Sequence, residues 1–156
     1  KNTVLDTLVK PYKIFFKDGI KIGVFGLGIE LLHLVSPDLY KETKYLDPIE
    51  IAQDISRDLK EKEACDLVIC LSHLGYNYKN SDKISDLKLA AATKNIDLII
   101  GGHTHTFLPK PTLVKNVSDE NVLVNQVGAY GVNLGRIDFY FDENNQRETS
   151  NKTIIL

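Results

Sequence analysis

The chain has 156 residues, 43% of them hydrophobic, and its 19 basic and 21 acidic residues give a formal charge of −2. This length allows one domain with its own hydrophobic core, and no basic run marks a surface for a nucleic-acid polymer. No apolar stretch approaches the roughly 20 residues that a membrane-spanning helix needs. The composition therefore predicts a folded domain without a membrane span.

The first two predicted strands form a hairpin. Tyr12 to Phe16 and Ile20 to Phe25 are rich in aromatic and β-branched residues. Asp18-Gly19 between them is typical of a two-residue hairpin turn. From Gly26 the chain should enter a long loop that ends near Tyr45.

A helix is predicted from about residue 48 to about residue 63. Asp47 can cap its first turn, Pro48 suits the first helical position, and Glu50 lies three residues after the cap. Apolar residues at helical spacing predict one buried stripe, made of Ile51, Ala52, Ile55 and Leu59.

The middle of the chain has the pattern of a strand, a helix and a second strand. Asp66 to Leu71 and Ile96 to Ile100 are short, continuously apolar runs, as in strands covered on both faces. A helix is predicted from about Asp82 to Lys94, with Ile84, Leu87, Ala90 and Ala91 facing inward. This βαβ pattern predicts that the two strands are parallel.

Two alternating segments follow. Asn121 to Val127 alternates, with Val122 and Val124 on one face, and Gly135 to Asp142 alternates apolar and polar residues. Asn144-Asn145 should turn the chain, so that Thr153 to Leu156 closes a last hairpin. Together the elements predict an α/β fold with a mixed sheet. Cys65 and Cys70 flank the start of one strand and are not expected to form a disulfide.

Three of the four histidines follow the two parallel strands. His73 comes two residues after the first strand, and His103 and His105 follow the second behind a Gly-Gly pair. Carboxyl ends of parallel strands meet at one edge of a sheet, where α/β folds bind ligands. Neutral imidazole is a good ligand for zinc, manganese, cobalt or iron. We therefore predict that all three are metal ligands, and that His103 and His105 reach forward together from an extended loop.

Each histidine also has a structural interpretation. A single histidine after a strand is more often a hydrogen-bonded loop residue than a ligand. The Gly-Gly-His-Thr-His stretch is stronger evidence than His73 alone, and convergence at one edge is stronger than either. His33 has no such setting, so we interpret it as a loop or packing residue.

The histidine motifs resemble those of the calcineurin-like metallophosphatases, and most of all the 5'-nucleotidase and UDP-sugar hydrolase branch. Ser72 to Gly75 and, about 30 residues later, Ile99 to His105 resemble the second half of that family's catalytic domain. Asp18 to Leu27, Val124 to Gly131 and Leu134 to Ile137 are similar to further segments of this branch. The resemblance covers nearly the whole chain.

This resemblance implies part of a four-layer αββα sandwich with a mixed β-sheet, and two-metal-ion hydrolysis of nucleotides or related phosphoesters. It assigns His73 and His103 to one ion and His105 to the other, with zinc, manganese, cobalt or iron as the candidate metals. It assigns no catalytic residue to this chain, because the family's transition-state histidine lies upstream. It also implies a periplasmic or cell-surface location.

The sequence departs from the family pattern in its missing ligands. The family's Asp-x-His, Gly-Asp and Gly-Asn-His motifs do not occur in it, and Asp38 is the nearest loop carboxylate without being a recognisable substitute. We therefore expect residues 1–156 to be the C-terminal part of a metallophosphatase catalytic domain, without its N-terminal ligands and without the nucleotide-binding domain of longer members. This chain alone should hold metal partially or not at all, and have little or no activity.

An apolar sheet face, expected to include Val24, Val68 and Ile99, should favour association with the missing N-terminal half or with a second copy of the chain. Two other functions stay open. One is a non-catalytic metal-binding or assembly module that keeps the fold. The other is a structural domain whose histidines bind nothing.

Overall fold

The computed structural model of the protein describes residues 8–142 and 147–155. Its strands are Tyr12–Lys17 (β1), Ile20–Leu27 (β2), Leu67–Ser72 (β3), Leu98–Ile100 (β4), Thr112–Lys115 (β5), Asn121–Asn125 (β6), Asn133–Phe141 (β7) and Arg147–Ile155 (β8). Its helices are Pro37–Tyr40 (α1), Pro48–Arg57 (α2) and Asp86–Ala92 (α3), and α2 continues as a π-helical segment, Asp58–Lys62. None of the described helices is long and apolar enough to cross a membrane.

The strands form two sheets, which confirms the α/β class with a mixed sheet. The larger sheet has six strands in the order β1-β2-β3-β4-β6-β5, and β7 pairs with β8 in a separate antiparallel hairpin. β2, β3, β4 and β6 are parallel neighbours, whereas β1 and β5 are antiparallel edge strands. The parallel pairing of β3 with β4 confirms the βαβ unit. β5 was not predicted, and the predicted turn at Asn144-Asn145 lies outside the described residues.

The β1–β2 hairpin and the start of α2 are as predicted. Asp18 and Gly19 both have positive φ, at 50° and 84°, which suits a tight turn between twisted strands. At the start of α2, the Asp47 carboxylate accepts hydrogen bonds from the backbone N–H groups of Ile49 (2.7 Å) and Glu50 (3.2 Å). The last predicted turn of this helix is π-helical, with the N–H of Glu63 donating to the carbonyl of Asp58 (3.0 Å).

The next two elements are shorter than predicted because polar side chains occupy their first positions. Helix α3 begins at Asp86 rather than near residue 82, since Ser85 caps it by accepting from the N–H of Lys88 (3.4 Å). Strand β4 begins at Leu98, and the carboxylate of Asp97 just before it accepts from the backbone N–H of Val68 (2.7 Å).

The inward face of α3 also differs from the prediction. Ala90 is fully buried as expected, but Ala91 is exposed, and the fully buried leucine of this helix is Leu89. Ile84 lies before the helix, so it is not part of a helical face.

The hydrophobic core lies between the larger sheet and helices α2 and α3. Its buried members include Phe25, Ala52, Leu59, Val68, Cys70, Leu89, Ala90, Ile99, Val122 and Val124. Both cysteines are free, as predicted, and both are buried. Because β-strand side chains alternate between faces, this core leaves the opposite face of the sheet to be covered by something else.

The composition of that opposite face corrects our prediction. Val68 and Ile99 lie in the core and are fully buried. Val24 does lie on the opposite face, because the register pairs it with Ile69 and not with Val68. The same face also carries Leu71 and Ile100, which are partly exposed. Expected self-association through this face stays a prediction, with a changed set of residues.

The β7–β8 hairpin partly covers the opposite face. A cleft of about 520 Å³ separates the two, with Ile69 and Ile100 on the sheet side and Leu134 and Ile137 on the hairpin side. The described residues therefore form a helix layer, a large sheet and a small sheet, which are three of the four layers of an αββα sandwich.

Because β2 packs against the π-helical segment, we expect alanine substitutions at two glycines of this strand to have different effects on stability. A Cβ at Gly23 would lie 2.7 Å from Leu59 Cδ2 and 3.1 Å from Cys65 Sγ, whereas at Gly26 the nearest atom would be Leu71 O at 3.8 Å. Gly23→Ala should therefore lower the free energy of unfolding by about 1–3 kcal/mol through overpacking, with Gly26→Ala as the matched control. Urea denaturation measures both; equal effects of the two substitutions would contradict this packing.

Candidate metal centre

His73 and His103 meet at the carboxyl edge of the parallel strands. His73 directly follows β3, and its N–H donates to the carbonyl of Leu27 at the end of β2 (2.9 Å). His103 lies in the loop after β4. The two ring centres are 5.3 Å apart, and the ring planes are inclined by 67°. The structure thus brings together the two histidines that sequence separates by 30 positions.

His105 belongs to the same loop but not in the predicted conformation. His103 and His105 have φ values of 70° and 52°, so the loop is tightly turned rather than extended. The N–H of Thr104 donates to the carbonyl of Gly102 (2.9 Å) within this turn. The His105 ring lies edge-on to Tyr130, with 5.8 Å between ring centres. Left-handed backbone at non-glycine residues is strained and is typical of functional loops.

The electrostatic surroundings of His103 favour its neutral form. Partial burial lowers the pKa of His103, and the positive charges of His73, Lys83 and His105 lower it further. Neutral imidazole is the form that binds a metal ion. His103 is therefore available as a ligand near neutral pH.

The spacing of His73 and His103 fits one metal ion. Two imidazoles on one zinc ion, with Zn–N of about 2.0–2.1 Å, have ring centres about 5 Å apart. Within residues 8–142, however, no three histidine, cysteine, aspartate or glutamate side chains are arranged to hold one ion. His33 and Asp38 are exposed, on the loop after β2 and in α1. The described residues therefore offer an incomplete set of ligands.

The buried side-chain amide of Gln126 forms hydrogen bonds with the loop that carries His103 and His105, a contact that we did not predict. Gln126, directly after β6, is 2% exposed. Its Oε1 accepts from the Thr104 hydroxyl (3.0 Å) and from the N–H of Thr106, and its Nε2 donates to the carbonyl of Gly102. The signal available in the sequence was the polar Asn125-Gln126 pair at the end of an apolar strand.

A second buried group supports the His73 loop. The Asp86 carboxylate accepts from the Ser72 hydroxyl (2.5 Å), and the N–H of Asp86 donates to the carbonyl of Gly75 (2.8 Å). Asp86 Oδ2 has no hydrogen-bond partner among the described residues. Burial raises the pKa of Asp86 to about 6, although the Ser72 hydrogen bond opposes this. In sequence, Asp86 resembled an ordinary helix residue.

Gly101 and Gly102 allow the two loops to approach each other. A Cβ at Gly101 would collide with Asp86 Oδ2, and one at Gly102 would lie 3.1 Å from His73 Nδ1. The Gly-Gly pair thus makes room for side chains of the neighbouring loop and helix.

The buried Asp86 predicts a specific pH dependence of stability. Below about pH 4 the carboxyl is protonated in both the folded and unfolded states. Between about pH 4 and about pH 6, the folded-state pKa, the unfolded chain has lost this proton whereas the folded protein still holds it. Stability therefore falls as the pH rises through this range, and this loss of stability is complete above it. Asp86→Asn removes this loss and should gain about 1–3 kcal/mol relative to the original chain at pH 7.5, but little at pH 4.

Urea denaturation at several pH values measures the difference between the two proteins. Asp82→Asn removes an exposed carboxylate shortly before the same helix and serves as the control. A difference between Asp86→Asn and the original chain that does not change with pH would contradict the prediction.

Comparisons with known proteins agree with this architecture. The model of the calcineurin-like phosphoesterase family matches residues 4–107. The trifunctional nucleotide phosphoesterase YfkN of Bacillus subtilis is 38% identical over 149 residues, which are 94% of this chain but 10% of that protein. The 5'-nucleotidase of Vibrio cholerae is 33% identical over 153 residues, covering 86% of this chain and 28% of that protein.

Solved structures show the same fold. The 5'-nucleotidase precursor of Thermus thermophilus superposes with a TM-score of 0.77 at 28% identity, over 97% of this chain and 31% of that one. The NAD nucleotidase of Haemophilus influenzae gives the same TM-score and identity over 100% of this chain and 32% of that one. The chain thus spans from a tenth to about a third of the length of these relatives. It belongs to the calcineurin-like phosphoesterase family, as the resemblance of its histidine motifs implied.

Proposed function

We propose that this chain is part of a catalytic domain that hydrolyses phosphoesters by the two-metal-ion mechanism, with nucleotides as the substrate class. The observation that carries the proposal is the meeting of the His73 and His103 rings at the carboxyl edge of the parallel strands. His73 and His103 would hold one ion, and His105 would contribute to the second. The names of the relatives, which include nucleotide phosphoesterases and 5'-nucleotidases, support the substrate class.

The chain's own residues prepare the site for metal and anion. Because its pKa is lowered, the His103 ring is neutral near pH 7 and has one nitrogen without a proton, which can bind a metal ion. Lys83 is close enough to His103 to influence this pKa, so its positive charge would attract a phosphoester anion to the same edge. Calcineurin-like phosphoesterases use divalent metal ions. When bound, such ions would polarise phosphate oxygens and lower the pKa of coordinated water.

The remaining ligands must be anionic in part, because three neutral imidazoles cannot offset the charge of two divalent ions. We propose that residues 1–156 are the C-terminal part of the catalytic domain and that its N-terminal half supplies these ligands. The lack of Asp-x-His and Gly-Asn-His motifs in the sequence supports this. A second copy of the chain is the alternative partner, and a periplasmic or cell-surface location is proposed from the family resemblance alone.

A second candidate function is a non-catalytic module that binds one metal ion or assembles with a partner. The observation in its favour is that no three ligating side chains of the described residues are arranged around one ion. Binding of about one metal ion per chain, without hydrolysis even beside the N-terminal half, would favour this function over the first.

The enzymatic proposal predicts the outcome of reconstitution. The chain is co-expressed with the segment encoded immediately upstream of Lys1 and assayed with AMP in the presence of manganese, cobalt or zinc. The pair should hydrolyse AMP. His73→Asn and His103→Asn should each lower kcat/KM at least about 100-fold, because loss of even an outer partner of a metal ligand costs about 10–100-fold.

His33→Asn is the matched control. His33 and His103 both have left-handed backbone, with φ of 66° and 70°, and asparagine tolerates this conformation. The control should keep full activity. Absence of hydrolysis with all three metals, or equal activity of the His103 and His33 variants, would contradict the proposal.

A further inference from the structure

We propose that Gln126 is a positioning residue, whose side-chain amide fixes the backbone of the 102–106 loop and thereby sets the directions of His103 and His105. The link to metal binding rests on the proposed function. The hydrogen bonds and the burial of Gln126 fix the loop whether or not a metal ion binds.

The Gln126 amide contacts the loop on both sides of His103. Its Nε2 donates to the carbonyl of Gly102, before that histidine, while its Oε1 accepts from the Thr104 hydroxyl (3.0 Å) and the Thr106 N–H, after it. A side-chain amide has two donor hydrogens and an oxygen that accepts two bonds. Gln126 therefore uses three of its four hydrogen bonds on one five-residue loop.

The loop needs such support because its backbone is strained. His103 and His105 are both left-handed at φ of 70° and 52°, a conformation that persists in non-glycine residues when the surroundings over-determine it. With Gln126 only 2% exposed, water competes little for its hydrogen bonds. Removing the amide should let the loop relax to conformations in which the two imidazoles point elsewhere.

The same amide also connects the two histidine loops. The Thr104 hydroxyl, which Gln126 holds, accepts from the N–H of Tyr76, three residues after His73 (3.0 Å). The main chain of β6 and its extension adds two further bonds, from the N–H of Gly101 to Asn125 O (2.8 Å) and from the N–H of Leu108 to Gln126 O (2.9 Å). Gln126 thus lies between both ends of one loop and the start of the other.

Alternative side chains at this position would lose defined parts of the contact. Leucine has a similar length but cannot make any of the three bonds. Glutamate keeps the acceptor for Thr106 and Thr104 but, as a carboxylate, cannot donate to the carbonyl of Gly102. The two substitutions therefore separate support after His103 from support before it.

The test measures the loop in the 156-residue chain and the metal in the chain co-expressed with its upstream segment. Amide hydrogen exchange in the metal-free protein reports on the Thr106 N–H, which donates directly to Gln126, with the amides of β4 as a reference for global stability. Cobalt(II) absorption reports on metal affinity. Gln126→Leu should speed exchange at Thr106 at least 10-fold and weaken cobalt binding at least 10-fold. Gln126→Glu should leave Thr106 protected but speed exchange at Thr104, whose N–H donates to Gly102 O.

Asn116→Leu is the matched control. Asn116 is a buried side-chain amide that accepts from the N–H groups of Ser118 (2.8 Å) and Glu120 (3.0 Å), in the turn before β6 and at the far end of that strand from the histidines. It should lower stability without changing exchange at Thr106 or the cobalt affinity.

Three results would overturn the inference or separate it from the proposed function. Thr106 exchange in Gln126→Leu equal to that in Asn116→Leu overturns it. If Gln126→Leu does not fold, unchanged exchange at Thr104 in Gln126→Glu overturns it. If the chain co-expressed with its upstream segment binds no cobalt, the metal site proposed above is refuted, while the exchange data still decide whether Gln126 fixes the loop.

Discussion

The parallel register of four strands is the constraint on which the site depends. Leu27 pairs with Ser72, Leu71 with Ile100, and Ile100 with Asn125. These pairings end β2, β3, β4 and β6 at nearly the same height, so the segments that leave them must lie side by side. This alignment brings histidines 30 positions apart in sequence to the same edge of the sheet. A shift of one residue in any pair would also turn core side chains to the other face, so the hydrophobic core and the site are fixed together.

Two buried polar side chains contact the histidine loops, at positions where the core of an α/β protein is usually apolar. Gln126 ties the 102–106 loop to the end of β6, and Asp86 ties the end of β3 to the start of α3. Each joins segments distant in sequence. Buried polar groups destabilise a fold unless they are hydrogen-bonded, and Asp86 is only half satisfied among the described residues. We interpret these two buried polar residues as lowering the stability of the fold while fixing the geometry of the loops.

Much of the fold could be predicted because local signals and tertiary structure agree. Asp18-Gly19 makes the turn that its dipeptide favours, Asp47 caps α2, and the apolar runs of β3 and β4 form parallel strands. The errors occur where a side chain sets the start of an element, or where an apolar run leaves the direction of its side chains undetermined. Ser85 sets the start of α3, which a periodicity over residues 82–94 does not reveal. Val68 and Ile99 were placed on the wrong face because a continuously apolar strand does not indicate which face meets the helices. The turned loop at His103 depends on Gln126, which is 23 positions away.

The two buried thiols have a consequence for metal selection and redox behaviour. Burial raises the pKa of both Cys65 and Cys70, and the thiolate rather than the thiol is the form that coordinates soft metals or reacts with oxidants. Cys65 and Cys70 are also only 4% and 0% exposed, so the folded protein keeps both sulfurs away from metal ions and oxidants in solution. The chain should therefore tolerate an oxidising compartment with its cysteines unchanged, and a thiol-reactive reagent should modify it only after unfolding.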